Sequence, residues 1–366
     1  MDSFKITAAQ TAWIGSSFSL CYAFGCLLYG PFSDKYGRKV FLTASVSLLT
    51  LITFAIGFIE NYYALLFLRG LQGLVAAAFA PISLVYAGEL FPPHKRLTAI
   101  GFISSGLLMA SIVGQVFSGI VGEAFGWQAI FFILSMIYLI TAFLVISRLP
   151  TDETPKTSES VFYKFQQMFS LLRKPQLLLS FCVTFVLLFS LVGMYTVLGG
   201  YLSSTAFNLN PREILAVRGA GILGMLFSPF AGQIARKIGT TAVLRGGLAL
   251  AAFGLLAVGF SHSLPLLVLA SVVFVAGIAV VTPVVISIIS QLAGPVRGSA
   301  VSFNAFILFL GASTGPGLVM NFLHNQQYVL AFEWLSAVLL AGFLAALFIK
   351  AETKVPADKA VKERLS

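Results

Sequence analysis

Long apolar stretches recur along the whole chain, separated by short segments that carry most of the charged side chains. A helix of about 20 apolar residues crosses the roughly 30 Å hydrocarbon core of a bilayer. The pattern therefore predicts an all-α membrane protein with about 11 transmembrane helices. The expected helices are 10–29, 40–59, 63–87, 98–121, 128–147, 177–202, 214–235, 240–260, 264–288, 299–322 and 328–349.

Composition supports a membrane protein and excludes several other classes. Only 10% of the 366 residues are charged, against roughly 25% in soluble domains. Lys plus Arg outnumber Asp plus Glu by 23 to 13, but the basic residues lie in short loops without a basic and aromatic stripe, so no nucleic-acid partner is expected. The cysteines and histidines are scattered, which predicts no metal site. No hydrolase, metalloprotease or nucleotide-binding motif is present, so neither an enzyme nor a primary pump is expected.

Basic residues gather in every second loop, which fixes the expected orientation. The positive-inside rule places such loops in the cytoplasm. Residue 1 is therefore expected outside and residue 366 inside, with Arg212 as the main exception among the external loops. The basic set comprises Lys35, Arg38, Lys39, Lys95, Arg96, Arg148, Lys156, Lys164, Arg173, Lys174, Arg236, Lys237, Arg297, Lys350, Lys354, Lys359, Lys362 and Arg364.

A weak internal repeat divides the chain into two like-oriented halves. Gly30 and Gly37 recur as Gly232 and Gly239, at a separation of 202 residues. Parallel repeats of this kind occur in transporters built from two bundles. The expected segments are an N-terminal bundle at 1–147, a cytoplasmic linker at 148–175, a C-terminal six-helix bundle at 176–350 and a cytoplasmic tail at 351–366.

The repeat also predicts that a first helix is missing. Shifted back by 202 positions, the 177–202 helix falls before Met1. The first half then has five helices and the second six, and an external N-terminus agrees with that count. The alternative is a true eleven-helix protein.

A distinctive loop lies between the first two predicted helices. Its marked positions are Gly30, Asp34, Gly37, Arg38 and Lys39. This spacing resembles the signature loop of the major facilitator superfamily. The glycines permit a tight turn, and the basic pair holds the loop at the inner face. Asp34 is expected to meet the positive N-terminal end of the 299–322 helix, forming a latch between the halves that favours the inward-closed state. The alternative is a plain topological anchor.

The resemblance implies a major facilitator fold of two pseudo-symmetric helical bundles that rock about a midplane site. In the 63–87 span, Arg69, Gln72 and Gly73 resemble the RxxQG motif of proton-coupled members. An arginine at depth in a bilayer is costly and usually faces a cavity or a partner. The resemblance implies a role for these residues in proton coupling or in binding substrate charge.

The 98–121 span matches the antiporter motif GxxxGPxxGG only in part. Gln115 occupies the proline position, while a GxxxGP occurs in the second half, from Gly311 to Pro316. Small residues at this spacing are common wherever membrane helices pack closely. The departure leaves the direction of transport open, although the other motifs favour an exporter.

The carboxylates and the cavity give less specific signals. No acid lies unambiguously at mid-membrane, and in relatives the proton-carrying group is often on the first helix. The resemblance places the cavity on the first, fourth, seventh and tenth helices of the full fold. The candidates for cavity lining are Gln115, Tyr195, Tyr201, Arg218 and Ser287, with packing as the alternative reading.

The leading interpretation is a secondary active transporter for proton-coupled efflux of drugs or small metabolites, a multi-pass monomer in the bacterial inner membrane. Its expected partners are a small-molecule substrate, protons and the lipid bilayer. It needs no cofactor beyond the proton gradient and has no catalytic residues. The alternatives are a sugar or metabolite uniporter or symporter of the same fold, and a truncated, transport-inactive membrane protein.

Overall fold

The computed structural model describes residues 8–150, 161–261 and 263–350. The start of the chain, the middle of the expected linker and the expected tail lie outside the described residues. Fourteen α-helices and no strands form the described part. They are α1 (Ala8–Tyr36), α2 (Arg38–Ile56), α3 (Tyr62–Ala76), α4 (Phe79–Leu90), α5 (Pro93–Phe125), α6 (Trp127–Arg148), α7 (Val161–Ser170), α8 (Pro175–Ser203), α9 (Pro211–Met225), α10 (Ala231–Ile238), α11 (Thr240–Gly259), α12 (Leu264–Ala293), α13 (Arg297–His324) and α14 (Tyr328–Leu347).

The described helices are long enough to span a membrane repeatedly. Nine segments combine the required length and apolar composition, and one of them, Leu264–His324, comprises both α12 and α13. Helix α1 has 29 residues, which corresponds to about 43 Å at 1.5 Å per residue. The prediction of an all-α membrane protein is confirmed.

Two predicted helices are each broken into a pair. The 63–87 span is α3 followed by α4, and the 214–235 span is α9 followed by a 3₁₀ turn and α10. Pro81 lies in the first turn of α4, and Pro229 lies in the 3₁₀ turn before α10. Proline has no amide hydrogen, so the helical bond to the carbonyl four residues earlier is lost at each place.

The two carbonyls left free by these prolines are used by neighbouring helices. The Cys26 thiol of α1 approaches the carbonyl of Ala77 at 4.0 Å. The Ser105 hydroxyl of α5 donates to the carbonyl of Met225 at 3.0 Å. Because Ser105 belongs to the first half and Met225 to the second, the second bond joins the two halves.

Helix α1 is longer than the predicted first span. It continues to Tyr36, so Gly30 and Asp34, expected in a loop, lie on its last two turns. The polar residues after the apolar span therefore continue the helix of α1. The helix ends at Gly37, whose φ of 105° lies in the region that favours glycine over other residues.

The two halves differ in how completely they are packed. In the second half one continuous core includes residues of α8, α11, α12 and α14, and Gly311 and Gly315 of α13 let the backbone of α8 approach closely. In the first half the buried side chains form several small clusters. The position that matches Gly315 at a separation of 201 residues is Gly114 of α5, which faces open space among the described residues. The absence of a first helix stays a prediction from the sequence.

The expected linker at 148–175 contains structure of its own. Helix α7 and a 3₁₀ turn at Leu171–Arg173 lie between the halves in sequence. Met168 and Leu171 are fully buried in the core of the second half. Apolar residues on one face of a short helix explain this docking, which the prediction of a cytoplasmic linker did not include.

Candidate functional site: a charged cluster that joins the two halves

The contacts that matter most lie at one end of the bundle, which we name the basic end. Lys35, Lys95, Arg96 and Lys237 lie there, in the terminal turns of α1, α5 and α10. The turn after α1 is closed there by Gly37, whose amide donates to the carbonyl of Ser33 at 3.0 Å. Gly239 has a similar backbone conformation, with φ 92°, in the second half. The sequence repeat is therefore also a repeat of local structure.

Arg38 organises a buried charge cluster at the basic end. Its guanidinium donates two hydrogen bonds to Glu89 of α4, at 2.8 and 3.0 Å. It also contacts Asp34 at 2.7 Å and donates to the Ser33 hydroxyl at 3.0 Å. The side chains of Arg38, Asp34 and Glu89 are only 8%, 9% and 10% exposed. Lys39, the other basic residue of the motif, is the second residue of α2 and is partly buried.

This cluster extends across the interface to α13 of the second half. Arg297, the first residue of α13, contacts Glu89 at 3.0 Å. The Ser299 hydroxyl lies 3.5 Å from the Asp34 carboxylate. A Cβ at Gly298 would collide with that same carboxylate. Asp34 therefore lies against the first turn of α13, where the partial positive charge of a helix favours an anion.

The related interface between α5 and α10 closes with different chemistry. The Arg236 guanidinium donates to the carbonyl of His94 at 2.7 Å, and the Ser228 hydroxyl donates to the carbonyl of Gly101 at 3.0 Å. Gly232 packs closely against Thr98. Arg236 takes the position that Asp34 has in the repeat, so this side has a cation where the other has an acid.

An apolar cluster lies next to the charged one and also crosses the interface. Leu84 and Val85 of α4 and Ile100 of α5 pack with Ile286 and Val301 of the second half. The charged and the apolar contacts both join the halves at the basic end. There the halves are held together by ion pairs, by the carboxylate of Asp34 against the N-terminal turn of α13, and by apolar packing.

Arg69 is held inside the first half without a carboxylate among the described residues. Its guanidinium donates to the Gln72 side chain at 2.7 Å and lies over the Phe18 ring at 4.7 Å. Gln72 in turn donates to the Thr53 hydroxyl at 2.8 Å. Gly73 allows α1 to pass so close that a Cβ would strike the backbone of Phe18. Gln72 thus orients the guanidinium of Arg69, and Gly73 permits the close crossing of α1 and α3.

Arg218 connects α9 to helices of both halves. It donates to the Gln115 side chain of α5 at 3.2 Å and to the backbone carbonyl of Tyr195 at 2.8 Å. Nearby, Arg212 and Glu123 form an exposed ion pair between the halves at 2.5 Å. The structure therefore brings three predicted cavity residues together, Gln115, Tyr195 and Arg218.

The other two predicted cavity residues lie elsewhere. The ring of Tyr201 packs against Phe207, Tyr328 and Phe332, which places it within the packing of α8 on α14. Ser287 accepts a hydrogen bond from Gln291 of its own helix at 3.3 Å. Neither joins the group around Arg218.

An apolar crevice of about 490 Å³ lies between α1 and α3. It contains no charged side chain, and Gly70, next to Arg69 in sequence, forms part of its wall. Its lining residues are Ser17, Cys21, Tyr63, Leu66, Phe67, Gly70, Leu71 and Leu74.

Sequence reasoning missed the partners that complete the charged cluster. Arg297 was counted only among the basic residues of the loops and Glu89 was not singled out, although the two are 208 positions apart and in contact. Arg245 was not singled out, and it donates to the carbonyls of Ala346 and Leu347 at the end of α14. A charged residue at the end of an apolar span, as at Glu89, or inside one, as at Arg245, is the signal that flags them.

Two bundles of spanning helices, joined at one end by a charged cluster, define a multi-pass membrane transport protein. The Major Facilitator Superfamily profile matches residues 1–316 and again residues 202–365. The chain belongs to the Major Facilitator Superfamily of transporters.

Relatives within this family agree with that assignment. The multidrug resistance protein MdtG of Proteus mirabilis is 25% identical over 340 residues, covering 91% of this chain and 84% of MdtG. The multi-drug resistance efflux pump PmrA of Streptococcus pneumoniae is 26% identical over 293 residues, covering 79% and 73%. An uncharacterized transporter of Buchnera aphidicola is 26% identical over 348 residues, covering 95% and 84%.

Solved structures share the fold at low sequence identity. The transporter FucP, in the outward conformation, aligns with a TM-score of 0.78 at 16% identity, covering 96% of this chain and 92% of FucP. The human organic anion transporter MFSD10 aligns with a TM-score of 0.75 at 20% identity, covering 91% and 83%.

Proposed function

We propose that this transporter exports drugs or small metabolites by alternating access, driven by the proton gradient. The observation that carries the proposal is the cluster of the buried Asp34, Arg38 and Glu89 with the partly exposed Arg297, which joins the two halves at the basic end. The remaining support comes from the apolar crevice beside α3, the placement of Arg69 and the names of two relatives.

The cluster suits a gate better than a static joint. Burying charges costs free energy that their mutual attraction repays only with good geometry. Here Asp34 and Glu89 are both paired with Arg38, and Glu89 is also paired with Arg297 of the other half while the end is closed. Opening separates Arg297 from Glu89 and returns these groups to water. The two states can therefore lie close in free energy, as alternating access requires.

The basic end is the cytoplasmic end in this proposal. The positive-inside rule supports that orientation for a bacterial inner-membrane protein. The structure then has its cytoplasmic side closed. The chain acts as a monomer, since each chain contains both halves of the gate.

The substrate is proposed to be apolar or weakly charged. The crevice between α1 and α3 is lined by aliphatic, aromatic and small polar side chains, which suits hydrophobic molecules. MdtG and PmrA are named as multidrug proteins, which agrees with this lining. Arg69, next to the lining residue Gly70, supplies a fixed charge beside the crevice. Its proposed role is proton coupling or binding of substrate charge.

Export assays test the function directly. Cells that overexpress the chain should accumulate less of a panel of toxic hydrophobic compounds than cells with an empty vector. A protonophore should abolish the difference. Export that persists with the protonophore would contradict proton coupling, and equal accumulation in both strains would contradict efflux.

Two substitutions test the residues that carry the proposal. Asp34→Asn should cut transport strongly at normal abundance, because a neutral side chain interacts less with the N-terminal turn of α13. Glu60→Gln, at an exposed loop position, is the control that should transport normally. Arg69→Ala should impair proton-driven export more than abundance, while Arg212→Ala, which breaks an exposed pair, should have little effect. Normal export by Arg69→Ala would make Arg69 a packing residue.

A further inference from the structure

A second crevice opens at the basic end, where α5 of the first half meets α10 of the second. Its volume is about 550 Å³. Arg236 forms one wall from α10, and the remaining wall comes from the first three turns of α5 and from Phe91, the residue that follows α4. The lining residues are Phe91, His94, Lys95, Thr98, Ala99, Phe102, Ile103 and Arg236.

The polar part of this crevice is basic. Lys95 and Arg236 are exposed, and no acid lines the crevice. Within the described ranges neither residue forms an ion pair with a carboxylate, in contrast to Arg38 and Arg297, which are paired with Glu89. Arg236 is positioned by its bond to the carbonyl of His94, which leaves the rest of its guanidinium free to bind an anion.

The apolar part follows the charges along the axis of α5. Phe102 lies seven residues after Lys95, about 10 Å further along the helix. Its side chain is 65% exposed, and Ile103 beside it is partly buried. In a spanning helix this direction runs from the bilayer surface into the hydrocarbon. The crevice thus presents cations first and apolar surface next, in the order in which a phospholipid presents its phosphate and its acyl chain.

We propose that this crevice binds an anionic phospholipid of the inner leaflet. The headgroup phosphate contacts Lys95 and Arg236, and an acyl chain lies along Phe102 and Ile103. Basic pockets between membrane helices on the cytoplasmic side suit anionic headgroups. A free phosphate ion would contact only the two basic side chains. The apolar wall beside them would have no role in binding phosphate but would contact the acyl chain of a lipid, so the crevice favours the lipid.

The lipid would contact both halves at once. Because Lys95 belongs to the first half and Arg236 to the second, a lipid phosphate between them adds an inter-half contact on the side that lacks the acid cluster. Anionic lipid would therefore favour the state in which the basic end is closed. This consequence does not depend on which molecule the protein transports.

Native mass spectrometry of the purified full chain in detergent tests the proposal. Dioleoyl phosphatidylglycerol and dioleoyl phosphatidylcholine are titrated separately, so the acyl chains are the same and only the headgroup differs. The variants are Lys95→Gln, which keeps the Arg236 bond to His94, and the double variant Lys95→Gln/Arg236→Gln. Lys237→Gln is the matched control, since Lys237 is an exposed neighbour of Arg236 outside the lining.

The expected result is one tightly retained phosphatidylglycerol per chain and weaker phosphatidylcholine. Each basic residue near an anionic lipid contributes about fivefold to affinity. Lys95→Gln should therefore bind about fivefold more weakly and the double variant roughly 30-fold, while Lys237→Gln stays within about twofold of the unmodified chain.

Four results would overturn the proposal. They are equal affinity for the two lipids, an equal loss of affinity in the Lys237→Gln control, and no loss of affinity in the double variant. The fourth is displacement of phosphatidylglycerol by millimolar inorganic phosphate, which would make the crevice a free-phosphate site. Failure of phosphate to displace the lipid supports the acyl-chain contact.

Discussion

Replacing Arg297 by glutamine should loosen the basic end without unfolding the protein. Arg297 contacts Glu89 across the two halves at 3.0 Å. In the variant Glu89 keeps both hydrogen bonds from Arg38, so its carboxylate is not left unpaired. The substitution therefore removes an inter-half attraction while the first half retains its own ion pairs.

The size of the effect follows from the burial of the pair. Exposed ion pairs contribute about 0.2–1 kcal/mol, and breaking a buried pair costs about 3–5 kcal/mol when it leaves a charge uncompensated. Arg297 is 36% exposed and Glu89 10%, and Glu89 stays compensated. We therefore expect the closed state to lose about 1–2 kcal/mol, which is roughly a 5- to 30-fold shift toward the state open at the basic end.

A buried cysteine reports this shift. Ser302 of α13 is 1% exposed and packs against Gly30 of α1, so it becomes accessible only when the halves separate. In a background without the native cysteines, the alkylation rate of Ser302→Cys should rise roughly 5- to 30-fold when Arg297→Gln is added. Lys237→Gln should leave the rate unchanged. An unchanged rate with Arg297→Gln would refute the gate, as would an equal rise in the control.

Two pairs of glycine substitutions give further predictions. Gly298→Ala should raise the alkylation rate of Ser302→Cys, because the added Cβ would displace the Asp34 carboxylate from the start of α13. Gly317→Ala, which has open space around it, should leave the rate unchanged. Equal rates in the two variants would contradict the close approach of Asp34 to Gly298. Gly73→Ala should lower the unfolding temperature of the protein and its abundance in membranes, since overpacking costs about 1–3 kcal/mol. Gly114→Ala, at a position with open space, should be tolerated. Normal stability of Gly73→Ala would contradict the tight crossing of α1 and α3.

The spans were predictable because hydrocarbon imposes a length and an apolar composition on every crossing. The breaks after α3 and α9 were not predicted, although Pro81 and Pro229 are visible in the sequence. Proline is tolerated inside membrane helices when another group uses the freed carbonyl. Only the three-dimensional structure shows that Ser105 supplies that group for the carbonyl of Met225.

The candidate site was predictable only where a local motif encoded it. The position of Asp34 relative to α13 was expected from a spacing of glycines, acid and bases within ten residues that resembles the signature loop of the superfamily. The contact between Glu89 and Arg297 has no such pattern, because it depends on how two distant helices meet. Tyr201 shows why a residue type alone decides little, since an aromatic residue on a predicted cavity helix also suits a packed core, and its ring packs against Phe332.

Distance measurement across the basic end tests the central claim, that a contact cluster there holds one of two interconverting states. Spin labels at Tyr36 and Lys237, both exposed and in opposite halves, report the separation by pulsed electron spin resonance. We predict one short distance in the unmodified chain and an added, longer population in Arg297→Gln. A single distribution that is identical in both proteins would contradict the account.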